Sequence, residues 1–236
     1  MLEFESIRKR LDNQNERDEF VIAQLAKLAD SSLILDAGCG SQRYRKNCMH
    51  LNYKAQDFGL YTTDVKHMIG TKGAGGDTGY QYGQLDYIGN IWEIDEKDET
   101  FDAILCTEVL EHIPYPIDTI REFSRLLKAG GTLILTAPSN CLRHMDPYFF
   151  YSGFSDRWYE ELLTRHGFKI EVLEAVGDYY SWLAVELART AKANSLFAKI
   201  ILAPAFVYYF IRKKTVLSIN TLCMGYQVVA RKMPIS

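Results

Sequence analysis

Leu33-Ile34-Leu35-Asp36-Ala37-Gly38-Cys39-Gly40-Ser41 is the stretch whose reading decides the fold. Three branched apolar residues run into an acid and then into two glycines one residue apart. That order describes a buried β-strand ending in a turn where the backbone comes close to a ligand. Working outward, Tyr53–Asp57 reads as a second short strand ending in an acid. Phe101–Cys106 and Thr132–Pro138 read as buried strands, with helical patterns in between. Strands alternating with helices predict an α/β chain built on a mostly parallel sheet.

Charge selects the ligand. A dinucleotide needs its glycine turn and the next helix N-terminus to receive a pyrophosphate. Asp36 at the strand tip would repel one, and Arg43 stands where the third glycine of G-x-G-x-x-G belongs. S-adenosylmethionine reverses the requirement, because it carries an ammonium and a sulfonium and no phosphate. Asp36 suits that ligand. Asp57 follows about 20 residues later, the spacing at which nucleotide-binding βαβ units set a carboxylate on ribose hydroxyls.

A second landmark is the run Thr100-Phe101-Asp102-Ala103-Ile104-Leu105-Cys106-Thr107-Glu108-Val109-Leu110-Glu111-His112-Ile113-Pro114. A buried strand there gives way to a polar and then apolar turn, at the end where such sheets receive ligands. Glu108 and His112 stand four apart, so a helical turn places both on one face. Ile117, Ile120, Phe123, Leu126 and Leu127 then mark an amphipathic helix that stops before Gly130-Gly131. The acid-then-GxG motif, the VLEH block and the run RLLKAGGTLILTAP together resemble the class I S-adenosylmethionine-dependent methyltransferases, in their small-molecule, type 11-like branch. The likeness is good from Leu33 to Pro138 and fainter to about Val172.

That resemblance implies a Rossmann-like seven-stranded sheet, mostly parallel with the last strand antiparallel, and helices on both faces. It implies S-adenosyl-L-methionine as cofactor, bound by Asp36, Gly38, Cys39, Gly40, Asp57, Phe58, Asn90, Ile91, Thr107 and Glu108. Similar methyltransferases often use an aspartate to accept from the adenine amine. This chain has Asn90 there, whose carbonyl can also accept, and Asp86 competes for the role. The third strand is expected over Gln84–Ile91.

Methyl transfer is an in-line displacement at a carbon that the sulfonium has already activated. Alignment then matters most, worth on the order of 7–11 kcal/mol in favourable systems. No metal is required. A hydroxyl acceptor needs a base, and His112, His144 and Asp146 are the catalytic candidates near the strand ends, with Glu108 beside them. His112 as packing for the post-strand turn and His144 as an ordinary loop histidine stay open as readings.

At 236 residues, 47% hydrophobic and 24% charged, the chain is long enough for one domain with a substantial core. A net charge of -3 gives no electrostatic footprint for nucleic acid. Cys39, Cys48, Cys106, Cys141 and Cys223 form no CxxC pair, which fits reduced thiols in a cytoplasmic protein. The charged N-terminus has no apolar signal core. A single domain is expected over 1–236, with an N-terminal helical cap over 1–30 and an apolar helical insertion at about 180–214, ahead of a final strand at Met224–Arg231.

Several segments carry two readings each. The glycine- and tyrosine-rich stretch 61–83 is a loop that closes over ligands or a flexible insertion. The aromatic loop Ser139–Ser155 faces the acceptor or plugs the core. Arg43 and Arg45 meet a carboxylate or are solvated. Leu196–Ile211 falls short of the roughly 20 residues that span a membrane and is interrupted by Lys199 and Pro204. It lies on a membrane surface beside Arg212-Lys213-Lys214, peripherally, or is buried against the protein or a second copy in a homodimer.

These features predict a methyltransferase for a small-molecule acceptor, with a hydroxyl on a sugar or related metabolite as the leading choice. A lipid or quinone acceptor at a membrane surface comes next. A non-catalytic protein that binds S-adenosylmethionine is the alternative from another class, and a nicotinamide oxidoreductase is third.

Overall fold

The computed structural model describes residues 13–60 and 82–234. The expected loop at 61–83 lies outside the described residues apart from its last two, and so does the first part of the expected N-terminal cap.

Among the described residues, seven strands form one sheet: β1 (Leu33–Ala37), β2 (Asn52–Asp57), β3 (Tyr87–Ile88), β4 (Phe101–Thr107), β5 (Leu127–Pro138), β6 (Phe168–Val176) and β7 (Gly225–Lys232). Their order across the sheet is β3-β2-β1-β4-β5-β7-β6. The pairs β1 with β2, β1 with β4, β2 with β3 and β4 with β5 are parallel. Only β7 runs against its neighbours, β5 and β6, as expected for the last strand.

The helices cover both faces. A strand apolar on both sides, as β1 is with Ile34, Leu35 and Ala37 fully buried, requires such cover. On one face, α1 (Asn13–Leu25) sets Val21 and Leu25 against Ile34, Leu105 and Ile134. On the other, α2 (Pro116–Leu126) and α3 (Asp156–Arg165) bring Ile120, Phe123, Leu126, Tyr159 and Leu163 onto Leu35, Ile104, Leu133 and Leu135. Burying a side chain such as Phe123 contributes roughly 1.5–3 kcal/mol. Pro116 suits the first turn of α2, where its missing N–H has no partner to lose.

Three sequence expectations change. The third strand shrinks from Gln84–Ile91 to Tyr87–Ile88, because Asp86 spends its carboxylate on the backbone N–H of Ala55 and on Lys54, and Gly89 turns the chain at a φ of +150°. Asp86 is thereby removed as the adenine candidate. The fifth strand begins at Leu127 instead of Thr132 and runs through Gly130-Gly131 with a bulge, since Leu127 pairs with Phe101 and Thr132 with Ala103. Pro204 lies inside a helix without ending it.

Between β6 and β7 the chain makes an excursion through α4 (Tyr179–Ala193), α5 (Leu196–Ile211) and α6 (Val216–Thr221). Its two ends are adjacent, with Val176 in register with Gly225. Buried Asp178 caps α4 by accepting from the Ser181 N–H and hydroxyl, and it also accepts from the Ser218 hydroxyl of α6. α5 packs on α4 and has no buried residue. Among the described residues, no helix is long and apolar enough to cross a membrane.

Arg125 of α2 holds the link between β3 and β4. It donates to Glu122, to Asp98 and to the carbonyls of Ile94 and Glu96, while Glu122 also accepts from the Ile94 N–H. That clamp fixes the segment that carries Asn90 and Ile91.

Candidate active site

The glycine turn after β1 folds back on the end of β2. Gly38 and Cys39 donate their N–H groups to the Gln56 carbonyl at 2.9 Å, and the Gly40 N–H donates to Asp57 Oδ2 at 2.9 Å. Gly38 adopts a φ of +72°, and a Cβ there would lie 2.5 Å from a methyl of Val109. Only glycine brings the backbone this close to the turn that follows β4.

Two cavities open at the carboxyl ends of the parallel strands, the end where such sheets take ligands. The first, about 240 Å³, is walled by Asp57, Phe58, Asn90, Ile91, Trp92 and Val109, among others. The second, about 320 Å³, is more polar and is walled by Arg17, Asp36, Cys39, Thr107, Glu111 and His144, among others. Gly38, Glu108, His112 and Met145 line both, so the two meet there. A larger depression of about 480 Å³ lies at the opposite end of the parallel strands, beside Gly131, where the charges of Lys128 and Arg231 are taken by Asp102 and Glu171.

The acids of the site are held out of water. Burial pushes the Asp36 carboxyl up to about 7; the Tyr53 hydroxyl, donating at 2.6 Å, opposes that rise and nearby Asp57 adds to it. Asp57 is also raised by burial, against N–H bonds from Gly40 and Gly59. A cation beside Asp36 would favour its ionised form. Burial also raises Glu111, with Glu108 as the nearby charge, and it lowers the His112 imidazole to about 4, with His144 adding to the effect. Burial likewise pushes the Cys39 and Cys106 thiols up, in keeping with inert reduced cysteines, and all five are free.

Most residues named from the sequence converge here. Asp36, Gly38, Cys39, Asp57, Phe58, Asn90, Ile91, Thr107, Glu108, His112 and His144 all line one cavity or both. Gly40 touches Asp57 from the turn. Asp146 does not converge: its carboxylate accepts from Arg143, and it lines neither cavity. Arg43 belongs to the second cavity's wall but pairs with Asp18 of α1, and Arg45 donates to Gln42.

The aromatic loop divides its work. Phe154 enters the core against Trp158 and Tyr159, as the plugging reading had it. Tyr148 and Phe150 line the first cavity, and Tyr148 meets Phe58 edge-on at 4.9 Å. The loop is fastened to the turn after β4, since the Glu111 carbonyl accepts from the Phe150 and Tyr151 N–H groups.

Sequence reading missed Arg17, Gln56, Met145 and Glu111. Arg17 pairs with Glu108 at 2.8 Å in the polar cavity. Its signal was available: it stands four residues ahead of Val21, the first core residue of α1, and so shares its face.

A family model described as a methyltransferase domain matches residues 10–173. The chain belongs to this methyltransferase family. The methyl donor of that family is S-adenosylmethionine. Among curated relatives, a ubiquinone biosynthesis O-methyltransferase of Xanthomonas campestris pv. campestris is 51% identical over 126 residues, covering 51% of this chain and 48% of that protein. The methyltransferase chain therefore spans about half the length of the curated relatives it matches. Of solved structures, the phosphoethanolamine N-methyltransferase 2 of Haemonchus contortus, in complex with S-adenosyl-L-methionine, superposes with a TM-score of 0.56 at 15% identity, covering 94% of this chain and 53% of that one. The [4+2]-cyclase SpnF gives 0.54 at 18% identity, covering 92% and 80%. These likenesses show the fold, and the cyclase shows that the fold also serves other chemistry.

Proposed function

We propose that this chain transfers the methyl group of S-adenosylmethionine to a hydroxyl oxygen of a small molecule. The observation that carries the reading is the pair of buried acids, Asp36 and Asp57, on either side of a glycine turn where two cavities join. Adenosine takes the less polar cavity, with Asp57 on the ribose and Phe58 and Ile91 against the base. Asn90 donates its amide N–H to Glu93, which leaves its side-chain carbonyl to accept from the adenine amine. The methionyl end takes the polar cavity, its ammonium to Asp36 and its carboxylate to Arg17. The methyl then faces His112 and His144. Calorimetry tests this directly: Asp36→Ala and Asp57→Ala should each weaken S-adenosylmethionine binding on the order of 10- to 100-fold, as loss of a charge-assisted bond does. Unchanged affinity in both, or binding of NAD instead, would remove the reading.

An oxygen acceptor is supported by the O-methyl transfer in the relatives' names. A hydroxyl on a quinone-like ring is the acceptor this favours, and a sugar hydroxyl is the second reading, supported by the aromatic side chains beside the site. Turnover on an alkyl-substituted dihydroxybenzene compared with a panel of sugar nucleotides separates them.

The α5 surface fits a peripheral approach to an anionic lipid surface. Phe197, Ile200, Ile201, Val207, Tyr208 and Ile211 form an exposed apolar stripe, and exposed Arg212, Lys213 and Lys214 follow at its end. The chain is acidic overall, so a local basic cluster beside an apolar stripe favours anionic headgroups. Flotation with phosphatidylglycerol vesicles should carry the protein up, and phosphatidylcholine vesicles should carry less. No flotation, with a concentration-dependent dimer, would assign the stripe to a second copy instead.

A further inference from the structure

We propose that Glu111, His112 and His144 form a binding site for one first-row divalent cation, of the Zn²⁺ kind, in the polar cavity. The sequence reading expected no metal, and nothing in the spacing of these residues announces one.

Three observations carry the site. One ligand atom from each residue lies within 4.8 Å of the other two, and His112 Nε2 stands 3.6 Å from Glu111 Oε1. A tetrahedral ion with bonds of about 2.1 Å holds its donors about 3.4 Å apart, so closing the set takes a movement of at most about 1.4 Å at its widest edge. Second, both imidazoles are oriented from behind. His112 Nδ1 contacts the Tyr148 carbonyl at 2.6 Å and His144 Nδ1 the Leu142 carbonyl at 2.8 Å. A carbonyl only accepts, so each Nδ1 carries the proton and each Nε2 keeps its lone pair, the arrangement of metal-bound histidines. Third, Glu111 is 1% exposed and its Oε2 has no hydrogen-bond partner. A carboxylate oxygen sealed from water demands a partner, and the polar cavity it lines has room for one.

Two imidazoles and one carboxylate select a borderline transition ion over Mg²⁺ or Ca²⁺, which prefer all-oxygen sets. Glu108, four residues along from His112, is committed to Arg17 and the Thr136 hydroxyl. The protein thus supplies three ligands and leaves coordination positions open, as catalytic sites do.

The ion's role rests on the methyltransferase reading above; its binding does not. A hydroxyl of the acceptor coordinated there loses its proton to water more readily. The oxygen lone pair forms the O–CH₃ bond as the C–S bond breaks, its electron pair goes to sulfur, and S-adenosylhomocysteine, the methyl ether and one proton result. His112 then acts as a ligand rather than as the base.

The test is calorimetric titration of the chelator-treated full chain with Zn²⁺, alongside Co²⁺ absorption spectroscopy. We expect one ion per chain and a Co²⁺ spectrum typical of mixed nitrogen and oxygen ligands. His144→Ala and Glu111→Gln should each weaken Zn²⁺ on the order of 100-fold or more, beyond the loss seen for outer-sphere partners. His144 is half-buried in a loop, so its variant reports even if Glu111→Gln fails to fold. Absence of stoichiometric Zn²⁺ binding, or equal affinity in His144→Ala, would overturn the site. S-adenosylmethionine binding to the metal-free protein is read separately: if it persists while Zn²⁺ fails, only the metal site falls.

Discussion

Tyr53 donates its hydroxyl to the Asp36 carboxylate across 2.6 Å, in a position where Asp36 is only 3% exposed. This bond partly offsets the cost of charging a carboxylate that burial has raised to about 7. A cationic donor binds the ionised form, so binding below that value must expel a proton. Affinity for S-adenosylmethionine should therefore rise up to tenfold per pH unit below about 7 and level off above it. Tyr53→Phe should move the midpoint upward. Calorimetry in buffers of different ionisation heat would show the proton released, and a flat profile from pH 5 to 8 would count against the assignment.

Gly38 is the residue least able to change. Gly38→Ala introduces a methyl 2.5 Å from Val109 on a backbone with φ at +72°. Strain of this kind costs about 1–3 kcal/mol. The melting temperature should fall by about 2–4 °C for each kcal/mol, measured by scanning calorimetry. Adding Val109→Ala should recover the steric part and leave the backbone part.

Arg17 offers a test that separates donor binding from chemistry. Arg17→Met should raise the Kd of S-adenosylmethionine and of S-adenosylhomocysteine alike, on the order of 10- to 100-fold, because both carry the carboxylate. A change in turnover with both Kd values intact would show that Arg17 acts through Glu108, its 2.8 Å partner, instead.

Arg125 should matter for stability more than for chemistry. Arg125→Met strands Glu122 and frees the carbonyls of Ile94 and Glu96. We expect a loss of about 1–3 kcal/mol, seen as a lower midpoint in urea with the slope unchanged. Donor affinity should fall only a few-fold, through the loosened segment bearing Asn90.

The sheet was legible because its central strands announce themselves. Ile34, Leu35, Ile104 and Leu105 are continuous apolar runs, as a strand covered on both faces must be, and Gly38 marks a backbone that only glycine adopts. The place of the edge strand β3 was legible but its extent was not, since its length depends on where Asp86 sends its carboxylate across to Ala55. The buried acids Asp36 and Asp57 were legible as a pair at the strand tips, the first from its place before the glycine turn and the second from its spacing after it. His112 and His144 were legible as candidates, but Arg17 and the closeness of Glu111 to the two histidines were not, because what unites them is the meeting of α1, the turn after β4 and the aromatic loop. That meeting is a product of tertiary packing, and no local spacing records it.

Val176 and Gly225 face one another in the register of β6 and β7, so everything from α4 to α6 leaves and re-enters the sheet through a single gap. The sheet therefore sets no length for what is strung between those two points. A graft that replaced α4 to α6 with a short hairpin turn should leave the strand order undisturbed. Exchanging the excursion should therefore alter the surface that α5 exposes and leave the sheet beneath it intact.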